Sequence, residues 1–189
     1  MPISAQQAHA AYAEAEQLYT ADEVEAAVAR MAEQISARLA GTDPLILCVM
    51  IGGLIPAGKL VPKLNFPLHL DYLHATRYRG ETRGSDLHWI IKPRVPLRDR
   101  VVLVIDDILD EGLTLAAILE HCRAEGAREV YSAVLVEKLH DRRPAAIEAD
   151  FVGLQVGDRY VFGYGMDYKD YWRNAPGIYA AKLGTDMKV

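Results

Sequence analysis

A strand that runs directly into a cluster of acids constrains the possible folds of this chain more than any other feature. Residues 101–105 are all apolar and four of the five are β-branched, which is typical of a strand buried on both faces. Four acids follow: Asp106, Asp107, Asp110 and Glu111. Gly112 then permits a tight turn, and Thr114 is a suitable N-cap for the helical spacing that follows. This order predicts a ligand site at the carboxyl end of a parallel strand.

The chemistry of this acidic loop combines two demands. Backbone N–H groups at a helix start favour a phosphate, whereas the carboxylates just before them would repel it. The carboxylates fit only if they bind hydroxyls or a metal ion carried by the same molecule. A sugar phosphate with vicinal hydroxyls and bound Mg2+ satisfies both demands. The simpler alternative is a solvated acidic turn that caps a helix.

Residues 106–114, Asp-Asp-Ile-Leu-Asp-Glu-Gly-Leu-Thr, resemble the phosphoribosyl-pyrophosphate (PRPP) motif of the type I phosphoribosyltransferases. The resemblance implies that this motif binds the ribose phosphate of PRPP. The residues implied are Asp106, Asp107, Asp110, Glu111, Gly112, Leu113 and Thr114. Glu111 stands where Thr is usual in the family, and Leu113 where Lys is frequent. We expect the Glu111 side chain to point away from the phosphate, because the two negative charges would repel each other.

A second apolar strand, predicted over residues 45–51, ends at the pair Gly52 and Gly53. Glycines after a buried strand let the backbone approach a ligand closely. The position resembles the first loop of the family, which implies that Ile51, Gly52 and Gly53 contact pyrophosphate. Many relatives carry Lys where this chain has Ile51, so we expect the contact to be made through the backbone.

Residues 76–100 form a basic region in an acidic chain, with seven Lys and Arg residues against three Asp and Glu. Three arginines and two glycines fall within residues 76–85, between two strand patterns. This stretch resembles the long flexible loop of the family. The resemblance implies a lid that closes over a polyanion, with Arg77 and Tyr78 at the pyrophosphate. A solvated hairpin tip is the alternative.

The aromatic segment 158–173 resembles the purine-binding hood of the 6-oxopurine phosphoribosyltransferases. The match is the pattern Val-x-Gly-Tyr-x-x-Asp-Tyr with a downstream Arg. It implies that Tyr160 stacks on the base and that Val161 contacts the base through its backbone. It also implies that Asp167 binds a metal beside the base and that Arg173 binds pyrophosphate.

Lys138 follows a strand predicted over residues 130–136. A lysine at a strand end is usually solvated, but this position resembles that of the family lysine that donates to the exocyclic oxygen of a 6-oxopurine. The resemblance also implies that Asp110 is the general base toward the N7 proton of the purine. It implies Mg2+ as the cofactor, with Asp106 and Asp107 as further metal ligands.

The resemblance covers about residues 45–183 and implies an α/β fold, a twisted and mainly parallel sheet flanked by helices with a small hood. We expect one domain over residues 1–189, with its core at about 41–155 and a hood from the N-terminal helices and about 156–189. The implied activity is purine salvage, in which 5-phosphoribose passes from PRPP to hypoxanthine or guanine. Relatives form dimers or tetramers, so we expect a homodimer or a homotetramer.

The N-terminal segment predicts two packing helices without chemistry. Residues 4–19 are Ala-rich and predict the first helix. Residues 20–23, Thr-Ala-Asp-Glu, form a capping box that opens the second. The predicted core face of the second helix is an apolar stripe: Val24, Val28, Met31, Ile35 and Leu39.

Composition argues against several other classes of protein. The net charge of −5 disfavours a general nucleic-acid binder. Cys48 and Cys122 lie in apolar patterns and indicate buried thiols in a reducing compartment. The sequence shows no signal-peptide pattern and no apolar run long enough to span a bilayer. We therefore expect a cytoplasmic protein without a membrane partner.

Two other functions are alternatives to this interpretation. A regulator that keeps the PRPP fold to sense nucleotides and bind RNA or DNA would retain the acidic motif, although not the hood pattern. A dinucleotide-binding Rossmann protein is excluded because no G-x-G-x-x-G pattern follows a predicted strand.

Overall fold

The structure is a computed structural model that describes residues 3–77, 87–142 and 147–182. The helices are α1 Ala5–Ala13, α2 Ala21–Leu39, α3 Leu54–Leu60 and α4 Leu113–Ala124, and a 3-10 helix, Val61–Lys63, follows α3. The strands are β1 Glu16–Thr20, β2 Leu45–Val49, β3 His69–Arg77, β4 Leu87–Ile91, β5 Val101–Leu109, β6 Glu129–Leu139, β7 Phe151–Gly157, β8 Val161–Phe162 and β9 Gly177–Ala180.

The main sheet has six strands in the order β4-β3-β2-β5-β6-β7. β4 is antiparallel to β3, and the other neighbouring pairs are parallel. The helices α2 and α3 cover one face of this sheet and α4 covers the other. This arrangement confirms the predicted fold class, a mainly parallel sheet flanked by helices.

The predicted central strand is buried on both faces. Leu103 and Ile105 of β5 face the core cluster under α2 and α3, whereas Val102 and Val104 face the cluster under α4. All four side chains are buried. The predicted apolar stripe of α2 is likewise buried throughout, and its Thr20 capping box is present.

The order of the strands fixes where a ligand fits. β2 pairs with β3 on one side and with β5 on the other, so the chain crosses from one side of β2 to the other between β3 and β5. Such a switch leaves a crevice at the carboxyl ends of the two strands, where open α/β sheets bind ligands. The acidic motif and the Gly52–Gly53 loop both lie at this edge.

A second, three-stranded sheet brings the two chain ends together in the order β1-β9-β8. Its strands pair antiparallel. Aromatic rings from α1 and from the segment after β8 pack around it, and Tyr12 stacks on Trp172 with 4.4 Å between ring centroids. The second sheet is therefore held through side chains that lie far apart in the sequence.

The prediction of a helix over residues 4–19 is wrong in its second half. The helix ends at Ala13, and Glu16–Thr20 forms β1 instead. The physical reason is pairing with β9 at the other end of the chain, which local helix propensity cannot reveal.

Two details of the acidic motif also differ from the prediction. β5 continues to Leu109, so Asp106 and Asp107 lie in the strand itself and not in a loop after it. Thr114 is not the N-cap of α4, because Gly112 takes that position with a left-handed backbone and φ of +78°. A left-handed N-cap suits glycine better than threonine.

Within the described ranges, no helix combines the length and the apolar character needed to cross a membrane.

We expect the Gly163→Ala variant to be much less stable than the Gly41→Ala variant. Both glycines have positive φ, which costs a residue with Cβ about 1–2 kcal/mol. A Cβ at Gly163 would also lie 2.0 Å from the backbone oxygen of Gly177, whereas a Cβ at Gly41 would meet nothing within 4 Å. Urea unfolding of both variants measures the difference. Equal losses in the free energy of unfolding would show that the close approach between β8 and β9 costs nothing.

Candidate active site

The candidate site lies where four segments meet at the carboxyl edge of the main sheet. They are the Gly52–Gly53 loop after β2, the acidic end of β5, the end of β6, and residues 163–173 after β8. The parallel register brings the first three together, since Cys48 pairs with Ile105 and Leu109 pairs with Glu137. The fourth reaches the edge from the second sheet.

Asp110 lies between two side chains from the end of β6. Lys138 Nζ is 2.6 Å from Asp110 Oδ2, and His140 Nε2 is 2.7 Å from Asp110 Oδ1. The Lys138 side chain is only 11% exposed, because the position lies inside β6 and not beyond the strand end as predicted. The predicted base and the predicted purine donor are therefore in direct contact.

The ionisation of Asp110 is set by two opposing effects. Partial burial raises its pKa, but the hydrogen bonds and positive charge of Lys138, together with the hydrogen bond from His140, outweigh burial and lower the pKa below its usual range. Asp110 is therefore a carboxylate at neutral pH and remains one well into the acid range.

Asp106 and Asp107 form an adjacent carboxylate pair whose pKa values are raised, in contrast to the lowered pKa of Asp110. Loss of solvent and the neighbouring charge of Asp107 raise the pKa of Asp106 well above its usual range. Burial also raises the pKa of Asp107, and the hydrogen bond with Asp106 and the charge of Arg173 offset only part of the increase. The pair is a desolvated acidic site, and a further cation or hydroxyl donors would stabilise its ionised form.

The two glycines after β2 are required by the packing of the protein itself. A Cβ at Gly52 would lie 2.1 Å from Asp107 Oδ2, and a Cβ at Gly53 would lie 2.6 Å from the backbone oxygen of Ile105. A cis peptide bond joins Met50 to Ile51, and the Ile51 side chain is 52% exposed. The loop is thus pressed against β5, beside the carboxylate pair.

Arg173 connects the segment after β8 to the acidic edge. Its guanidinium donates to Asp167 Oδ1 and to the backbone oxygen of Gly165, each at 2.6 Å, and lies 3.9 Å from Asp107 Oδ2. Asp167 also accepts from the backbone N–H of Asp170 at 2.8 Å. The structure therefore brings Arg173, predicted for pyrophosphate, together with Asp107 and Asp167, predicted for metal.

Tyr160 lies just before β8, and Val161 is the first residue of that strand. Tyr160 is half-buried, its ring meets Tyr168 edge to face at 5.5 Å between centroids, and its hydroxyl accepts from the backbone N–H of Lys169. Val161 is buried and pairs with Ala180 of β9. The backbone of β8 is thus fixed by the second sheet.

The start of α4 offers backbone donors to an anion. Gly112 is its N-cap, and no described side chain caps the helix there. Leu113 and Thr114 lie in the first helical turn, whose N–H groups have no partner within the helix. Glu111 is exposed. A Cβ at Gly112 would lie 2.4 Å from Ile147 Cγ2, so this turn requires glycine for its packing as well as for its φ.

A metal cage made by the protein alone is absent from the described residues, where no group of three or more His, Cys, Asp or Glu side chains is placed to hold an ion. Mg2+ usually takes one or two carboxylates and completes its shell with water and substrate phosphates. The Asp106–Asp107 pair, with its raised pKa values, fits that mode of binding.

Two neighbours of Asp110 were not predicted from the sequence. His140 is almost fully buried against it, and Arg142 NH2 lies 3.8 Å from Asp110 Oδ1. One signal was available for His140. It follows Lys138 by two residues, and side chains two apart along a strand point to the same face.

The predicted lid is mostly outside the described residues. Tyr78 falls in the gap between residues 77 and 87, and Arg77 is described only as the last residue of β3. The strand ends at the same edge of the sheet as β2.

Comparison with known proteins places this geometry in a family. Residues 14–170 match the family model described as "Phosphoribosyl transferase domain". The chain is 33% identical over 162 residues to the hypoxanthine-guanine phosphoribosyltransferase of Bacillus subtilis (strain 168), which covers 85% of this chain and 89% of that protein. It is 27% identical over 161 residues to the hypoxanthine-guanine-xanthine phosphoribosyltransferase of Tritrichomonas foetus, covering 85% and 88% of the two chains.

A solved structure agrees with the sequence comparisons. The crystal structure of a hypoxanthine phosphoribosyltransferase from Staphylococcus aureus superposes with a TM-score of 0.83 at 27% identity, over 88% of this chain and 91% of that chain. The resemblance of residues 106–114 to the PRPP motif is thereby confirmed at the level of the family. The chain belongs to the phosphoribosyl transferase family.

Proposed function

We propose that this protein is a purine salvage enzyme that transfers 5-phosphoribose from PRPP to hypoxanthine or guanine and releases IMP or GMP and pyrophosphate. The observation that carries the proposal is the contact between Lys138 Nζ and Asp110 Oδ2. This contact joins a lysine that can donate to the 6-oxygen of a purine to a carboxylate that can accept a proton from the purine. The names of the relatives support the same activity.

The reaction breaks the bond between the anomeric carbon of the ribose and the pyrophosphate oxygen. A new bond forms between that carbon and N9 of the purine, and the proton on N7 leaves the base. Positive charge develops on the ribose as pyrophosphate departs, so the site must stabilise a cationic sugar, an anionic leaving group and a lost proton.

In this scheme Lys138 changes partner when the purine binds. It leaves Asp110 and donates to the 6-oxygen of the base, which frees Asp110 Oδ2 to accept the N7 proton. The pKa of Asp110 is low in the free protein largely because Lys138 is bound to it. Loss of that donor raises the pKa, so Asp110 becomes a stronger base when a purine is in place.

The leaving group would be held on the other side of the crevice. We assign pyrophosphate to Arg173, to the backbone of residues 51–53 and to Arg77 and Tyr78 of the basic region. Arg173 already lies between two carboxylates, Asp107 and Asp167. Mg2+, when bound, would supply neutralisation of charge on the leaving pyrophosphate. We assign its protein ligands to Asp106, Asp107 and Asp167.

The ribose phosphate would occupy the start of α4. The N–H groups of residues 111–114 suit the 5′-phosphate, and Asp106 suits the ribose hydroxyls. Asp107 is more buried and packs against Gly52, so besides binding the metal it would hold the first loop and Arg173 in place. The exposed Glu111 adds a charge near the phosphate without a described contact to it.

We further propose that the N-terminal helices and the C-terminal segment, about residues 156–189, act together as a hood over the base, within one domain. Tyr160 would stack on the purine and the backbone of Val161 would contact its edge. We propose a cytoplasmic homodimer or homotetramer without a nucleic-acid or membrane partner. No observation on the described residues favours the nucleic-acid-binding regulator.

Product formation from PRPP, Mg2+ and each of hypoxanthine, guanine and xanthine tests the proposed function, with Asp110→Asn as the matched variant. Asparagine keeps the shape of the side chain but cannot take the proton, so we expect kcat to fall by about 10²–10⁴. KM for PRPP should change little. The assay measures nucleotide by absorbance and pyrophosphate by a coupled reaction. Turnover by Asp110→Asn within tenfold of the unaltered protein would exclude Asp110 as the base.

Lys138→Met separates purine recognition from PRPP binding. Methionine keeps most of the side-chain stem and removes the donor, which leaves the purine oxygen unpaired at a cost of about 1–3 kcal/mol. We expect kcat/KM for the purine to fall accordingly, with KM for PRPP nearly unchanged. Lys182→Met is the control, since that lysine is 70% exposed. Equal losses for both substrates would identify Lys138 as a structural residue.

A further inference from the structure

The imidazole of His140 is enclosed beside the candidate base. Its side chain is only 4% exposed, and Nε2 lies 2.7 Å from Asp110 Oδ1. The neighbouring Leu139 side chain, on the opposite face of the chain, is 51% exposed. His140 therefore faces the site and not the solvent.

The hydrogen bonds around His140 define which ring nitrogen carries the proton. The backbone N–H of Arg142 donates to Nδ1 at 3.2 Å, so Nδ1 is the acceptor. A neutral imidazole has one donor and one acceptor, which places its proton on Nε2. Nε2–H therefore donates to Asp110 Oδ1.

The donor to Nδ1 is itself anchored. The guanidinium of Arg142 binds both carboxylate oxygens of Asp158, with NH2 2.8 Å from Oδ1 and NH1 in a closer contact with Oδ2. Asp158 lies just beyond β7 and two residues before Tyr160. A chain of contacts thus runs from Asp158 through Arg142 and His140 to Asp110.

We infer that His140 is a positioning residue that holds Asp110 Oδ1 and so selects Oδ2 as the oxygen that receives the purine proton. The inference rests on the proposed function. Both oxygens are occupied in the free protein, Oδ1 by His140 and Oδ2 by Lys138. When Lys138 moves to the purine oxygen, Oδ2 is released, while His140 keeps Oδ1 and prevents rotation of the carboxylate.

Removal of His140 has a predictable effect on the acid side of the pH profile. The groups that face Asp110 are Lys138, His140 and Arg142, and Glu111 is its neighbour in the chain. A donor to a carboxylate favours the ionised form, so loss of the His140 donor raises the pKa of Asp110. The acid limb of kcat/KM for the purine should then move to higher pH.

Three substitutions test the positioning role. Gln places an N–H group at about the reach of Nε2, Asn is too short to do so, and Phe fills the space without a donor. We expect the kcat and the acid limb of His140→Gln to stay close to those of the unaltered protein. We expect His140→Asn and His140→Phe to lose about 10–100-fold in kcat, as misplaced catalytic groups do, with KM for PRPP unchanged and the acid limb shifted upward.

His121→Phe is the matched control. His121 lies on α4 and contacts Trp89, with ring centroids 4.5 Å apart. The same change of side chain there should leave kcat and the pH profile unaltered. Urea unfolding of each variant shows whether it is folded, and comparison of Gln with Asn remains decisive if the Phe variant does not fold.

A second readout does not depend on activity. Nitrogen NMR of the histidine rings should show, for the neutral form of His140, the proton on Nε2 and none on Nδ1. The opposite tautomer would overturn the inference. Equal kcat and equal acid limbs for the Gln and Asn variants would also overturn it. Absence of turnover in the unaltered protein would overturn the proposed function and this inference together. Normal turnover of the unaltered protein, with the same kcat and acid limb in the Gln and Asn variants, would overturn the inference alone.

Discussion

The parallel pairing of β5 with β2 on one side and β6 on the other is the constraint on which the rest of this structure depends. It aligns the carboxyl ends of three strands, so that residues far apart in the chain share one edge. Asp110 and Lys138 meet there because Leu109 pairs with Glu137. A change of register by one residue would turn every one of these side chains to the opposite face.

Charge compensation explains why the site is arranged as it is. Asp106 and Asp107 are pressed together with raised pKa values, and Arg173 offers Asp107 only a distant contact. Asp110, in contrast, is fully supplied with donors and its pKa is lowered. A cation or hydroxyl groups from a ligand would therefore stabilise the carboxylate pair, whereas Asp110 would become a stronger base if a ligand took one of its donors away.

The sequence was sufficient to predict the central strand, the acidic motif and the family, because burial on both faces and the spacing of the acids are local signals. It did not predict β1, whose conformation depends on β9 at the far end of the chain. It placed Thr114 as the helix cap where a left-handed Gly112 stands, since φ cannot be read from residue type alone. It also missed the contact of His140 with Asp110, which spans 30 residues and is set by strand register.

In the proposed scheme Lys138 lowers the pKa of Asp110 in the free protein and leaves Asp110 when a purine binds. Titration of the Asp110 carboxyl by carbon NMR, with and without saturating GMP, measures this directly. We expect a pKa below the usual value of about 3.9 in the free protein and a clear increase in the complex. A pKa that is unchanged or lower with the purine bound would contradict the exchange of partners.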